Sequence, residues 1–164
     1  MRVSRAVTML AACTLVGVAC GDDITQVTGT AVPGLTVEVF TATLTVAAEV
    51  PAPTIPAGET PSGTATFTAL NNLLVWEVNV TGTDSIFIGH IHAGAVGVPG
   101  GVIVDLAPSP IDQNNYTGTI ALGSRAVHDS VLVRLRAGTA YVNLHTRRNT
   151  AGEIRGQVAL VTEP

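Results

Sequence analysis

Residues 64–81 read Thr64-Ala65-Thr66-Phe67-Thr68-Ala69-Leu70-Asn71-Asn72-Leu73-Leu74-Val75-Trp76-Glu77-Val78-Asn79-Val80-Thr81. Two runs rich in β-branched and aromatic residues, which suit a pleated and half-buried surface, flank the pair Asn71-Asn72. Asparagine tolerates a positive φ, so this pair is typical of a tight hairpin between Leu70 and Leu73. The stretch therefore predicts two antiparallel strands.

The same pattern continues along the chain, where valine and threonine dominate while the helix formers lysine, glutamate and glutamine are absent or scarce. Regularly spaced strands of this kind indicate a sandwich or a barrel. One segment differs, because apolar residues recur at helical spacing before Gly138 and predict a short amphipathic helix over 125–137. We expect strands at Thr36–Ala48, Thr64–Leu70, Leu73–Thr81, Ile86–His92, Gly101–Leu106, Tyr116–Leu122, Thr139–Thr146 and Glu153–Val161.

The charge and cysteine content exclude several classes of protein. The chain has no lysine, a net charge of −4, and scattered arginines apart from the pair Arg147-Arg148, so we expect no nucleic-acid partner. The only cysteines are Cys13 and Cys20. The sequence after residue 20 therefore has no disulfide, no catalytic thiol and no thiolate metal site.

The first residues have the layout of an export signal. A cationic start, Met1 to Arg5, precedes an uncharged stretch from Ala6 to Ala19, which is shorter than a membrane span. Cys20 ends this stretch and resembles the acylated cysteine of a bacterial lipoprotein, although Leu10-Ala11-Ala12-Cys13 is an alternative motif. We expect a signal peptide at 1–19, a lipid-anchored tether at 20–34 and a β domain at 35–164. The lipid is expected to anchor the protein to a bacterial cell-envelope membrane.

Three histidines are the candidate metal ligands. His90 and His92 are two residues apart, so both imidazoles leave the same face of an extended strand. If the strand carrying His145 is a near neighbour, three nitrogens could bind copper or zinc at about 2.0 Å. Side-chain alternation predicts that Tyr141, Asn143 and His145 face solvent, which makes this a surface site. The alternative is structural, with the imidazoles donating hydrogen bonds to backbone carbonyls of the 94–101 segment.

Glu153 and Arg155 are two charged residues that could belong to a catalytic site or form a structural ion pair. Glu153 and Arg155 share a strand face and are expected to form an ion pair with each other or with Glu49. One carboxylate without a second does not make a hydrolase, so we predict a structural role and no catalytic residue.

Four ordered motifs together resemble the CHRD domain, named after chordin, over about Val39 to Val161. This resemblance implies an exported β domain without established catalytic activity, found in bacterial envelope proteins. It also marks Glu49, Gly94, Asn143, Glu153, Arg155 and Gly156 as structural motif residues. The motifs are Phe40-Thr41-Ala42-Thr43-Leu44, Glu49-Val50-Pro51, His90-Ile91-His92-Ala93-Gly94, and Tyr141-Val142-Asn143-Leu144-His145-Thr146 with Gly152-Glu153-Ile154-Arg155-Gly156-Gln157.

The expected fold is an antiparallel β-sandwich of the Greek-key type, similar to superoxide dismutases or immunoglobulin domains, with one short helix. His90-Ile91-His92 also resembles the strand that supplies two copper ligands in copper-zinc superoxide dismutases. A full dismutase needs further ligands, and the only other histidine, His128, falls on the predicted helix.

Two functions follow from these observations. The leading hypothesis is an exported, lipid-anchored CHRD-domain protein that acts as a non-catalytic binding module for a protein or glycan partner. The alternative is a copper- or zinc-binding protein in redox defence or metal handling, with His90, His92 and His145 as ligands.

Overall fold

The computed structural model describes residues 34–161. The predicted signal peptide, Cys13, Cys20 and nearly all of the tether lie outside the described residues. Among those described, no helix is both long and apolar enough to cross a membrane.

The described chain forms nine strands and one α-helix. The predicted all-β antiparallel fold with one short helix is confirmed, and the Asn71-Asn72 hairpin forms with φ of 53° at Asn71. A single turn of 3-10 helix (Val46–Ala48) follows the first strand. The elements are β1 (Val37–Thr45), β2 (Ser62–Leu70), β3 (Leu73–Thr83), β4 (Ile86–Ala93), β5 (Val102–Asp105), β6 (Tyr116–Ala126), α1 (Asp129–Arg136), β7 (Ala140–Thr146), β8 (Ile154–Gln157) and β9 (Ala159–Leu160).

All the strands belong to one curled sheet in the order β5-β4-β7-β8-β1-β2-β3-β6, with β9 paired to β1. The segment that follows β5 joins the two edges of this sheet. Leu106 O accepts a hydrogen bond from Trp76 Nε1 at 3.2 Å, and Ser109 N donates to Ile120 O at 2.8 Å. Because the sheet closes in this way, the inward faces of its strands share one core.

The core is built from alternate residues of each strand. In β2, Ala65, Phe67 and Ala69 are buried while Thr64 and Thr66 are exposed, as a one-sided sheet requires. The largest fully buried apolar side chains are Phe40, Leu44, Phe67, Leu74, Ile86, Ile91, Leu106, Leu135, Leu144 and Ile154.

The predicted helix begins too early. Arg125 and Ala126 belong to β6, where they pair with Leu74 and Leu73 of β3, so their backbone groups bond within the sheet. The helix begins after His128, whose Nδ1 accepts a hydrogen bond from Ser130 N at 3.2 Å as an N-cap.

The last predicted strand is divided in two. Val158 separates β8 from β9, and its N–H donates to Ala140 O at 2.9 Å. The strand β8 lies between β7 and β1, and this position brings the Gly152 to Gln157 motif next to the strand that carries His145.

Candidate metal centre

Strands β4 and β7 bring the three histidines together. The two strands are antiparallel neighbours, with His90 opposite Asn143 and Ile88 opposite His145. His90, His92 and His145 therefore leave the same face of the sheet, and their ring centres are 5.3 to 6.0 Å apart.

The imidazole nitrogens lie close together. One nitrogen from each ring lies within 4.8 Å of the other two. The closest pair is His90 Nδ1 and His145 Nε2, which are 3.4 Å apart. Two ligands on a tetrahedral ion with bonds of about 2.0–2.1 Å lie about 3.3 Å apart. This pair already has the spacing of two ligands to one ion.

Backbone carbonyls fix the tautomers of two rings. His92 Nδ1 lies 2.9 Å from Gly100 O, and His145 Nδ1 lies 3.0 Å from Thr150 O. A carbonyl oxygen only accepts, so each Nδ1 carries the hydrogen and each Nε2 keeps its lone pair. His92 Nε2 is buried and has no hydrogen-bond partner among the described residues. Carbonyl bonds of this kind orient metal-binding histidines, so the structural and metal-binding interpretations are compatible.

Burial keeps the imidazoles neutral. Desolvation lowers the pKa of His90, and Asp105 opposes the shift. Desolvation also lowers the pKa of His92 and of His145, with the Gly100 and Thr150 carbonyls opposing it and the neighbouring imidazoles adding to it. The neutral form of imidazole is the one that can coordinate a metal ion.

The prediction of a solvent-facing site is wrong. Every residue of β7 is buried, and His92 and His145 each expose only 9% of their surface, while His90 is partly exposed. Two loops cover the face that alternation had assigned to solvent. The 94–101 loop bonds His92 and Tyr141 through Gly100, and the 147–153 loop bonds His145 through Thr150.

A stack of three side chains lies beside the cluster. The His92 and Tyr141 rings are nearly parallel, at 7°, with centres 5.0 Å apart. The guanidinium carbon of Arg155 lies 3.4 Å from the centre of the Tyr141 ring. Because β7 lies between β4 and β8, His92 and Arg155 flank Tyr141 from opposite sides. The sequence analysis placed Tyr141 in a CHRD motif and on the solvent face, and it did not anticipate this stack, which depends on residues from two other strands.

Arg155 fastens the covering loop. Its Nη2 donates to Ala95 O at 3.1 Å and to Val98 O at 3.0 Å, and only 2% of the residue is exposed. Gln157 Nε2 adds a bond to Gly94 O at 2.9 Å. Gly156 lies against β1, where a Cβ would collide with the backbone of Thr43, so only glycine allows this approach.

The predicted ion pairs of Glu153 and Arg155 do not form. No carboxylate of residues 34–161 lies within 4.0 Å of Arg155. Glu153, which is 1% exposed, instead accepts from Asp84 N at 3.0 Å, Thr146 Oγ1 at 2.9 Å and Asn149 Nδ2 at 3.0 Å. Nothing in the pattern of the sequence pointed to these donors, which come from two loops and a strand end.

Glu49 and Asn143 face each other beneath the 147–153 loop. Asn143 Nδ2 donates to Glu49 Oε1 at 3.4 Å, and both residues are buried. Glu49 Oε2 and Asn143 Oδ1 have no partner among the described residues, and a Cβ at Gly152 would collide with both. A protonated Glu49 that donates to Asn143 Oδ1 would satisfy both of these buried acceptors. Desolvation raises the pKa of Glu49, which favours the protonated form. The Val50 N–H, Arg155 and Asn143 each lower this pKa and oppose the shift.

The comparisons with known proteins agree with the motifs. The family model of the CHRD domain matches residues 40–158, which is more than half of the chain. The chain belongs to the CHRD-domain family. The matched range contains all of the histidine cluster, the Arg155 stack and the Glu49–Asn143 pair of this CHRD domain. The searches of curated proteins and of solved structures find no match.

Proposed function

We propose that this CHRD domain is a non-catalytic binding module whose ligand is a copper or zinc ion held by His90, His92 and His145. One observation carries the proposal. Backbone carbonyls hold His92 and His145 in the tautomer that leaves Nε2 with its lone pair, and one nitrogen of each of the three rings lies within 4.8 Å of the other two. A purely structural role for these rings does not require their second nitrogens to converge.

The donor set favours copper and zinc over other ions. Neutral imidazoles suit both, whereas magnesium and calcium prefer oxygen ligands. Three protein ligands leave a further coordination position for water or a small ligand. His128 caps α1 and is not part of the cluster. The described chain therefore has a single cluster of histidines, made of the other three. A role in metal handling or redox defence fits a single site of this kind.

Metal analysis of the purified protein tests the proposal. We expect the wild type to retain one copper or zinc ion per chain after dialysis, and the triple variant H90A/H92A/H145A to retain none. The variant His128→Ala is the matched control, because it removes an exposed histidine outside the cluster. A folded wild type without stoichiometric metal would refute the site.

We also propose that the protein is exported and held at a bacterial envelope membrane by a lipid on Cys20. The support is the leader-like sequence before Cys20 and the lack of any later cysteine. Cys20→Ala is expected to move the protein to the soluble fraction, while the control Cys13→Ala leaves it with the membranes. The reverse result would assign the lipid to Cys13. Binding of a protein or glycan partner, which the sequence analysis expected, stays a prediction.

A further inference from the structure

Arg155 is a buried charge without a counter-ion. It is 2% exposed, and no carboxylate among residues 34–161 pairs with it. Its Nη2 donates to two loop carbonyls, and its Nη1 is buried without a hydrogen-bond partner in the described chain. Among the described residues, the charge is met by two carbonyl dipoles and the face of the Tyr141 ring, and not by a bonded carboxylate, which is costly in a protein interior.

This charge lies close to the histidine cluster. The distances across the Tyr141 stack, 3.4 Å and 5.0 Å, place the guanidinium carbon within about 8 Å of the His92 ring centre. Tyr141 fills the space between the two, so little water screens them, and Tyr141 is only 3% exposed.

The nearby carboxyl groups do little to cancel the charge. Glu49 is buried against Asn143, in the arrangement that suits a protonated acid. Asp105 pairs across the strands with His90, but it is exposed, and solvent screens it. The imidazoles are neutral ligands, so the first coordination sphere brings no negative charge. Arg155 therefore places a positive charge on the His92 side of the cluster, where it adds to desolvation in lowering the pKa of His92, while Asp105 acts on His90 from the exposed side.

We propose that Arg155 makes the histidine cluster select Cu(I) over Cu(II) and Zn(II). The inference rests on the metal site proposed above and names the ion that the site prefers. A fixed positive charge repels a divalent ion about twice as strongly as a monovalent one. Three neutral nitrogen ligands suit the low coordination number of Cu(I), and the carbonyl-locked rings give these ligands little freedom to rearrange around a different ion.

The size of the effect follows from Coulomb's law. A unit charge about 10 Å away, at an effective dielectric constant of about 20, changes the relative affinity for two ions that differ by one charge roughly tenfold. For a one-electron couple, a tenfold change is 59 mV.

The test compares Arg155→Gln with Arg155→Lys in the copper-loaded protein. Glutamine removes the charge and keeps a neutral amide donor, while lysine keeps the charge and loses the planar fork. We expect the Cu(II)/Cu(I) potential to fall by about 59 mV in Arg155→Gln and to stay near the wild-type value in Arg155→Lys. Equal potentials in all three proteins, or an equal fall in both variants, would overturn the role of the charge.

A competition experiment on the wild type is independent of how the variants fold. Zinc-loaded protein is titrated with Cu(I) under anaerobic conditions, with a chromophoric zinc chelator to report release. We expect stoichiometric displacement of zinc by one equivalent of Cu(I). Retention of zinc would overturn the inference and leave the metal site standing, whereas a wild type that binds neither ion would refute the site itself.

Discussion

His90 Nδ1 lies 3.4 Å from His145 Nε2, on the neighbouring strand. The hydrogen on His145 is held at Nδ1 by Thr150 O, so in the absence of a metal His90 is the ring that donates across this gap. A metal ion would take the place of that hydrogen. The register of β4 and β7 sets the distance between the two rings, and this distance suits either a hydrogen bond or a shared metal ion.

Metal is expected to stabilise the fold. A ligand at one hundred times its Kd adds about 2.7 kcal/mol to the free energy of unfolding, which for a domain of this size raises Tm by about 10 °C. We expect this shift with copper or zinc in the wild type and in His128→Ala. Calorimetry of H90A/H92A/H145A is expected to show no shift. An equal rise in the triple variant would mean that the metal binds elsewhere.

Acid is expected to weaken the metal-free fold through the same histidines. Burial lowers the pKa of each below the ordinary 6.5, so the unfolded chain binds protons more readily. Their contribution is full above pH 6.5 and is lost as the pH falls through the lowered folded values. Urea unfolding between pH 8 and pH 4 measures this, with the triple variant as reference. The same slope in both proteins would contradict it.

Much of the fold was predictable because its signals are local. Alternation in β2 and β3 and the asparagine pair at the hairpin each act within a few residues. The predicted start of α1 was wrong because Arg125 and Ala126 are compatible with either a helix or a strand. Their pairing with β3, which is distant in sequence, makes them part of a strand. Strand order depends on such distant pairings and could not be derived from periodicity.

The site was predictable in its residues and not in its surroundings. The spacing of His90 and His92 placed both rings on one face, and the resemblance to the CHRD domain supplied His145. The predicted bond from an imidazole to a carbonyl of the 94–101 segment is confirmed for His92 and Gly100, but the Thr150 carbonyl and the burial of the site by two loops were missed. Backbone atoms are the same in every residue, so a sequence does not show which carbonyls will contact a side chain. Side-chain alternation likewise does not predict which loops cover a sheet.

Loss of the Glu153 carboxylate is expected to be severe. Glu153→Ala would leave the Asp84 N–H and the Thr146 hydroxyl without an acceptor and Asn149 Nδ2 with Thr54 O alone, at a cost of about 3 kcal/mol or more. Glu38→Ala is the matched control, since it breaks a solvent-accessible pair with Arg136 that is worth about 1 kcal/mol or less. Denaturant unfolding of both variants measures the difference. Similar losses would contradict the buried network.

The buried contact between Glu49 and Asn143 predicts that glutamine is tolerated at position 49 if the acid is protonated. Glutamine reproduces a neutral acid, because its oxygen accepts from Asn143 Nδ2 and its amide donates to Asn143 Oδ1. We therefore expect Glu49→Gln to unfold at nearly the wild-type denaturant concentration at pH 5, while Glu49→Ala loses about 1–3 kcal/mol.

The pH dependence separates a neutral Glu49 from an ionised one. The pKa of Glu49 is raised on folding, so its contribution is full below the unfolded value and is lost as the pH rises through the folded value. Glu49→Gln lacks this titration, and its stability relative to the wild type is expected to increase from pH 5 to pH 8. If Arg155 instead held Glu49 as a carboxylate, the variant would become relatively less stable over that range. Urea unfolding of the two proteins across these pH values distinguishes the protonated pair from an ion pair.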